Sequence, residues 1–148
     1  MPVHSTPAAG ARVMDLQHPD KKMSKSLDSP QGTVLVLDDP KAIEKKFKRA
    51  VTDSEGVVRY APDDPGKAGV TNLLSILAGA TGDDPEALAS KYEQYGPLKA
   101  DAAAAVIEQL VPIQERYATL VADPAELDRL LAVGADKAEA IAAPVLHR

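Results

Sequence analysis

The sequence predicts a mainly α-helical chain behind a small extended segment at its N-terminal end. Three observations lead there. The composition is 45% hydrophobic with only four Tyr, one Phe and no Trp, so a core must be built from Leu, Ile, Val and Ala, which favours packed helices. Asp-Pro pairs recur at Asp38-Asp39-Pro40, Asp83-Asp84-Pro85 and Asp123-Pro124; an Asp side chain accepts from first-turn amides and Pro is tolerated at the first helical position, so each reads as a helix start. Downstream of these starts the apolar residues step by three and four, the period of one helical face.

The extended segment comes first. Residues 1–10 hold two Pro, a Ser, a Thr and a Gly and read as an extended lead-in. Arg12-Val13-Met14 could form a short strand, and Thr33-Val34-Leu35-Val36-Leu37 is a β-branched run bounded by Pro30, Gly32 and Asp38. Such a pair is marginal alone and calls for more sheet beside it. Next, a helix over Pro40 to Val51 buries Ile43, Phe47, Ala50 and Val51, while Lys41, Lys45, Lys48 and Arg49 share the other face. That face is either a solvated stripe or a cationic wall meeting phosphate.

After a Pro- and Gly-rich loop over residues 61–69, a helix is expected from Val70 to Ala78 with Val70, Leu73, Leu74 and Leu77 inward, ended by the stretch from Gly79 to Gly82. Another runs from Pro85 to Tyr95, carrying Leu88, Tyr92 and Tyr95, and stops at Gly96-Pro97; its tyrosines read as core. The longest spans Pro97 to Ala122 with a seam of Ala103, Val106, Leu110, Ile113, Tyr117 and Leu120 that calls for a helical neighbour, and Pro112 should kink it near Glu108. Two helices finish the chain: Pro124 to Ala132, closed by Gly134, then Ala135 to Leu146 with Ala138, Ile141, Ala142 and Val145 inward. The total is five or six helices.

Composition also narrows function. A net charge of -5 means that any nucleic-acid contact must come from a local basic face. There is no Cys, hence no disulfide or thiolate metal site. No apolar run nears the roughly 20 residues that span a bilayer and no signal pattern opens the chain, so no membrane partner and a cytoplasmic location are expected. His4, His18 and His147 fall in no ligand spacing, so no metal site is expected.

One short stretch carries chemistry. Lys22-Met23-Ser24-Lys25-Ser26 sets two ammonium groups and two hydroxyls on one loop between the two extended pieces. Lysine is a mobile point charge with several donors, so such a loop suits polyphosphate. Left to itself, the pentapeptide reads sooner as a solvated basic loop.

Its surroundings decide between these. Gly10 to Leu16, Lys22 to Ser26, Leu37-Asp38-Asp39-Pro40-Lys41, Lys45-Lys46, Ala50 to Ser54, Asn72-Leu73-Leu74, Tyr95 to Lys99, Pro112 to Tyr117 and Gly134 to Ala138 resemble, in that order, the C-terminal half of the bacterial tryptophanyl-tRNA synthetases, a class I family with a KMSKS motif. The resemblance implies a helical, anticodon-binding-type C-terminal domain over residues 39–148. It makes residues 1–38 the end of a Rossmann-type nucleotide-binding domain carrying the loop. The implied activity is ATP-dependent attachment of tryptophan to tRNA(Trp).

By the same resemblance, Lys22 and Lys25 are the catalytic residues, with Lys25 carrying the larger share of transition-state charge. Val13, Lys22, Met23, Ser24, Lys25 and Ser26 bind ATP, Val13 through its backbone at the adenine. ATP brings its own Mg2+. The implied partners are ATP, tRNA(Trp), tryptophan through the N-terminal half, and a second copy in the family homodimer. Two departures stand out. No counterpart of the N-terminal half with its His-Ile-Gly-His-like signature is present, so the chain alone is expected to be inactive. Leu27 stands where an acidic residue is common, Asp28 coming one later, and the C-terminal tail looks clipped. The alternative functions are a stand-alone helical tRNA-binding or regulatory module, and a helical scaffold for protein partners.

Overall fold

The computed structural model describes residues 10–26 and 28–146; the expectations placed on residues 1–9, Leu27 and His147 lie outside them. Five α-helices follow in order: α1 (Pro40–Lys48), α2 (Ala68–Thr81), α3 (Pro85–Ala89), α4 (Tyr95–Ala122) and α5 (Pro124–Leu146), with a 3-10 turn at Pro65–Lys67. The chain divides into two compact units, Met1–Val111 and Pro112–Arg148.

The Asp-Pro starts are helix caps. Asp39 accepts from the Lys41 amide at 2.9 Å, Asp84 from Ala87 at 2.9 Å and Asp123 from Glu126 at 3.1 Å. A fourth pair, Asp64-Pro65, opens the 3-10 turn in the same manner, with Asp64 accepting from Gly66; within the sequence it was hidden in a stretch dense in Pro and Gly.

In the first unit the expected inward faces form one core. Ile43, Phe47 and Ala50 from the α1 segment, Val70, Leu73, Leu74 and Leu77 from α2, Leu88 from α3, and Leu98, Ala102 and Ala103 from α4 are all buried, with Leu16 from the N-terminal segment. Fully burying an aliphatic side chain is worth roughly 1.5–3 kcal/mol, so this Leu- and Ala-rich core, with Phe47 its one fully buried aromatic, replaces the missing large rings by number.

Several boundaries differ from the sequence expectations. Among the described residues there is no strand: Arg12 to Met14 contributes one antiparallel bridge, Met14 to Lys22. Thr33 to Leu37 makes a turn in which the Asp38 carboxylate holds the Leu35 amide at 2.8 Å. β-propensity records fit to a pleated neighbour, and no ladder is on offer there; Leu35, Val36 and Leu37 are exposed. α1 ends at Lys48, so Val51 lies beyond it and is exposed, its amide bonded to the Leu16 carbonyl.

α2 runs through Gly79 and stops at Gly82, whose φ of 82° is the left-handed cap that glycine adopts freely. α3 closes after five residues, and Gly96-Pro97, expected as a stop, lies in the first turn of α4, where a proline lacks no helical bond.

In the second unit, α4 continues through Pro112, and α5 is one helix that contains both Gly134 and Pro144. An interior Gly costs only about 1 kcal/mol relative to Ala, which the Leu- and Ala-rich flanks outweigh. The inward face expected here is not buried: Ala138 and Ala142 are exposed, and Ile141 and Val145 are 77% and 70% exposed. Along α4 the seam is buried at Ala103, half-buried at Val106 and Leu110, and exposed at Ile113 and Tyr117.

A buried ionic cluster ties the loop before α2 to the start of α4. Lys67, 1% exposed, pairs with Asp53 at 3.0 Å and Glu55 at 2.8 Å and donates to the Val57 carbonyl at 3.0 Å. The Tyr95 hydroxyl meets Asp53 Oδ1 at 2.6 Å and accepts from Lys67 at 3.3 Å. Such a cation is tolerable only because partners surround it. Desolvation pushes the Asp53 carboxyl up, but hydrogen bonds from Tyr95, Lys67 and the Glu55 amide, with the Lys67 charge, outweigh it and hold the group at about 2 against an ordinary 3.8.

The folded pKa is lowered, so the stability Asp53 contributes is complete above pH 3.8 and is lost as pH falls from there to about 2. Urea unfolding across that window should show the loss, and Asp53→Asn should be less stable at neutral pH and flatter between the two limits.

Candidate functional site

The lysine-bearing loop is held at its base by a miniature hairpin. The Asp15 amide donates to the Lys21 carbonyl at 2.8 Å and the Met23 amide to the Val13 carbonyl at 3.0 Å, flanking the Met14 to Lys22 bridge. Val13 and Met23 are half-buried and rest against the core. Two polar side chains then fix the hairpin to the rest of the unit.

Asn72, buried on α2, reads both backbone groups of Met14: its Oδ1 accepts from the amide at 3.0 Å and its Nδ2 donates to the carbonyl at 2.9 Å. Asp15, fully buried, accepts on Oδ1 from the Gln17 and His18 amides at 2.8 and 2.9 Å and from the Ser29 hydroxyl at 3.1 Å. Its Oδ2 faces the Thr33 hydroxyl at 3.5 Å. Ser29 and Thr33 follow the loop and Asp15 precedes it, so one carboxylate clamps both flanks.

Gly32 makes the clamp possible. A Cβ there would lie 1.8 Å from Asp15 Oδ1, so only glycine lets the returning chain pass so close. Lys46 of α1 supports the same flank, with Nζ 2.7 Å from the Thr33 carbonyl and 2.6 Å from Asp38 Oδ2.

The loop itself is polar and open. The Ser24 and Ser26 hydroxyls are 2.9 Å apart, the Ser26 amide donates to Ser24 Oγ at 3.3 Å, and the Ser24 carbonyl lies 3.4 Å from the Thr33 hydroxyl. Lys22 and Lys25 are exposed. Lys25 rims a cleft of about 390 Å³ that Asp28, Ser29, Thr33 and Lys46 also line. Two cations with no ion pair among the described residues and a hydroxyl pair, on a loop held at its base, can follow an anion that changes position or charge.

All six residues singled out from the sequence, Val13 and Lys22 to Ser26, thus come together in one segment. The residues that hold them, Asp15, Gly32, Thr33, Lys46 and Asn72, entered there only within the resembling stretches or an expected strand and its border, with no part in holding the loop. Asn72 had one signal, a lone amide inside the apolar run from Val70 to Leu77. Asp15 and Thr33 had none, because their partnership spans 18 positions.

The sequence model of the family described as tRNA synthetases class I (W and Y) matches residues 2–111. The chain belongs to that family. Among curated relatives it is 48% identical over 146 residues to tryptophan–tRNA ligase 1 of Streptomyces coelicolor, covering 99% of this chain and 43% of that protein. It is 46% identical over 144 residues to the tryptophan–tRNA ligase of Bacillus anthracis, covering 96% of this chain and again 43% of the relative. The crystal structure of tryptophanyl-tRNA synthetase from Mycoplasma pneumoniae superposes with a TM-score of 0.81 at 31% identity, over 95% of this chain and 43% of the other. The chain therefore spans less than half the length of these synthetases, and the stretch it matches is their C-terminal part. No helix among the described residues is long and apolar enough to cross a membrane.

Replacing Asn72 by Leu should strand both Met14 backbone groups and lower unfolding stability by about 2–4 kcal/mol. Amide exchange should quicken first at Met14 and Met23, within the hairpin, and spread least to α3.

Proposed function

We propose that this chain works as the C-terminal part of a tryptophan–tRNA ligase, in concert with a nucleotide-binding half. In this reading residues 1–38 complete the nucleotide-binding domain and residues 39–148 form the tRNA-binding helical domain. The observation that carries it is the pair of exposed ammonium groups, Lys22 and Lys25, with no ion pair among the described residues, on a loop whose feet are fixed by Asp15 and Asn72. The likeness to named tryptophan–tRNA ligases supplies the reaction.

The chemistry is attack of the tryptophan carboxylate on the α-phosphorus of ATP, which forms tryptophanyl-adenylate and releases pyrophosphate; a terminal ribose hydroxyl of tRNA(Trp) then takes the aminoacyl group as an ester and AMP leaves. Negative charge gathers on the departing pyrophosphate. An ammonium group that closes on that charge as it develops lowers the barrier more than one bound equally well throughout. Lys25, beside the cleft, takes this part, with Lys22 supporting it. The Ser24 and Ser26 hydroxyls, already turned toward each other, order the loop or donate to phosphate, and the Val13 backbone borders the adenine. Mg2+ would arrive with the nucleotide and would add to the neutralisation of its phosphates.

Fusing this chain to the N-terminal half of the Streptomyces coelicolor relative gives the test. Tryptophan-dependent exchange of labelled pyrophosphate into ATP should appear, and Lys25→Ala should lower its kcat roughly 100- to 1,000-fold, with the KM for ATP moving far less. Lys22→Ala should cost less. Exchange that proceeds equally fast with both lysines cut to alanine sinks the proposal.

A further inference from the structure

The segments on either side of the lysine loop are both fastened to the end of α1. At and just beyond the last turn of that helix, Gln17 Nε2 donates to the Arg49 carbonyl and the Val51 amide to the Leu16 carbonyl, each at 2.8 Å. These bonds fix the segment leading into the loop. One turn earlier, Lys46 holds the segment leading out, through the Thr33 carbonyl at 2.7 Å and Asp38 Oδ2 at 2.6 Å. Thr33 is buried, and its amide donates to the Ser29 carbonyl at 3.0 Å. Its hydroxyl lies 3.4 Å from the carbonyl of Ser24, the peptide group that leads directly into Lys25. A line of contacts therefore runs from Lys46 through Thr33 to the backbone of Lys25.

Lys46 and Lys25 line the same cleft, yet they are suited to different work there. The Lys46 side chain is 13% exposed and its partner Asp38 16%, and the same Asp38 oxygen accepts from the Leu35 amide at 2.8 Å. Two of the three Lys46 donors are directed at fixed acceptors, and its charge is offset. A phosphate could recruit it only by displacing Asp38 from a close, largely desolvated pair, the kind that is costly to break. Lys25 is exposed and has no ion pair among the described residues. One lysine is thus built to stay in place and the other to move.

We propose that Lys46 is a positioning residue for the lysine loop: it sets the exit segment against α1 and, through Thr33, the place from which the Lys25 ammonium reaches phosphate. The inference rests on the role given above to Lys25 and adds to it a residue that does not touch the nucleotide. Asp15 ties the two flanks of the loop to each other, whereas Lys46 ties them to a helix, so a displacement of α1 is passed to the loop. Placement at this precision matters because a shift of about 1 Å in a reacting arrangement can cost roughly 100-fold in rate.

A double-mutant cycle in the fused enzyme described above tests this. Lys46→Met keeps most of the aliphatic stem and removes the charge and the donors. It should lower kcat for pyrophosphate exchange roughly 10- to 100-fold, with the KM values for ATP and tryptophan moving by less than about threefold. Lys46→Arg, which keeps charge and donors, should bring the rate back to within about fivefold of wild type. In the Lys25→Ala background, Lys46→Met should cost less than about twofold, because the group it places is gone. Should Lys46→Met unfold by circular dichroism, Lys46→Gln, which keeps a donor for the Thr33 carbonyl, should show a smaller loss that likewise vanishes beside Lys25→Ala.

Losses that multiply in the double variant overturn the proposal, since Lys46 then acts on the substrate itself or through the fold at large. A folded Lys46→Met enzyme as fast as wild type overturns it too, and so does a Lys46→Arg enzyme as slow as Lys46→Met. If Lys25→Ala alone leaves the rate unchanged, the role of the loop falls and this inference with it; if Lys25→Ala slows exchange and only the coupling fails, the role of the loop stands.

Discussion

A carboxylate with no access to water must be met by donors, and Asp15 gathers them from both sides of the lysine loop. Its partners are two amides in the turn after the first hairpin arm and two hydroxyls beyond the loop. If any of them moved away, a buried charge would be left short of a hydrogen bond, at a cost of roughly 1–3 kcal/mol or more. The ends of the loop are therefore set by electrostatics, and its tip is left to its own serines.

The same logic recurs at Lys67. There the buried cation collects Asp53, Glu55, the Val57 carbonyl and Tyr95, so that an irregular stretch without strand or helix is fixed as firmly as if it had a ladder. The first unit thus has two kinds of cement. Apolar packing joins its helices, and two buried charges organise the segments that lack regular structure.

What could be read in advance follows this division. Caps and apolar periodicity are local, and Asp39, Asp84 and Asp123 with the faces of α1 and α2 were legible from spacing alone. The loop lysines stood together in a contiguous pentapeptide, but only the stretches around them gave them a meaning. The Asp15, Asn72 and Lys67 networks were not legible, since beyond the amides of Gln17 and His18 their partners lie 10 to 58 residues away and nothing in a window of sequence marks an Asp as buried. The strand at Thr33 to Leu37 failed because β-propensity speaks of a neighbour that this segment does not have here. Gly134 failed as a helix end because helix-forming residues flank it on both sides, and the inward face assigned to Ile141 and Val145 assumed a cover that the second unit does not supply.

Asn72 has one consequence for how this sequence can change. Holding an amide and a carbonyl of the same residue takes a side chain offering donor and acceptor together at fixed reach, and the genetic code supplies only one near substitute, a methylene longer. The apolar positions of α2 could wander among aliphatic residues of similar bulk, whereas this site can hardly move. Divergence across the helix would accumulate around a stationary point, and the lysine-bearing hairpin would be the part sheltered by it.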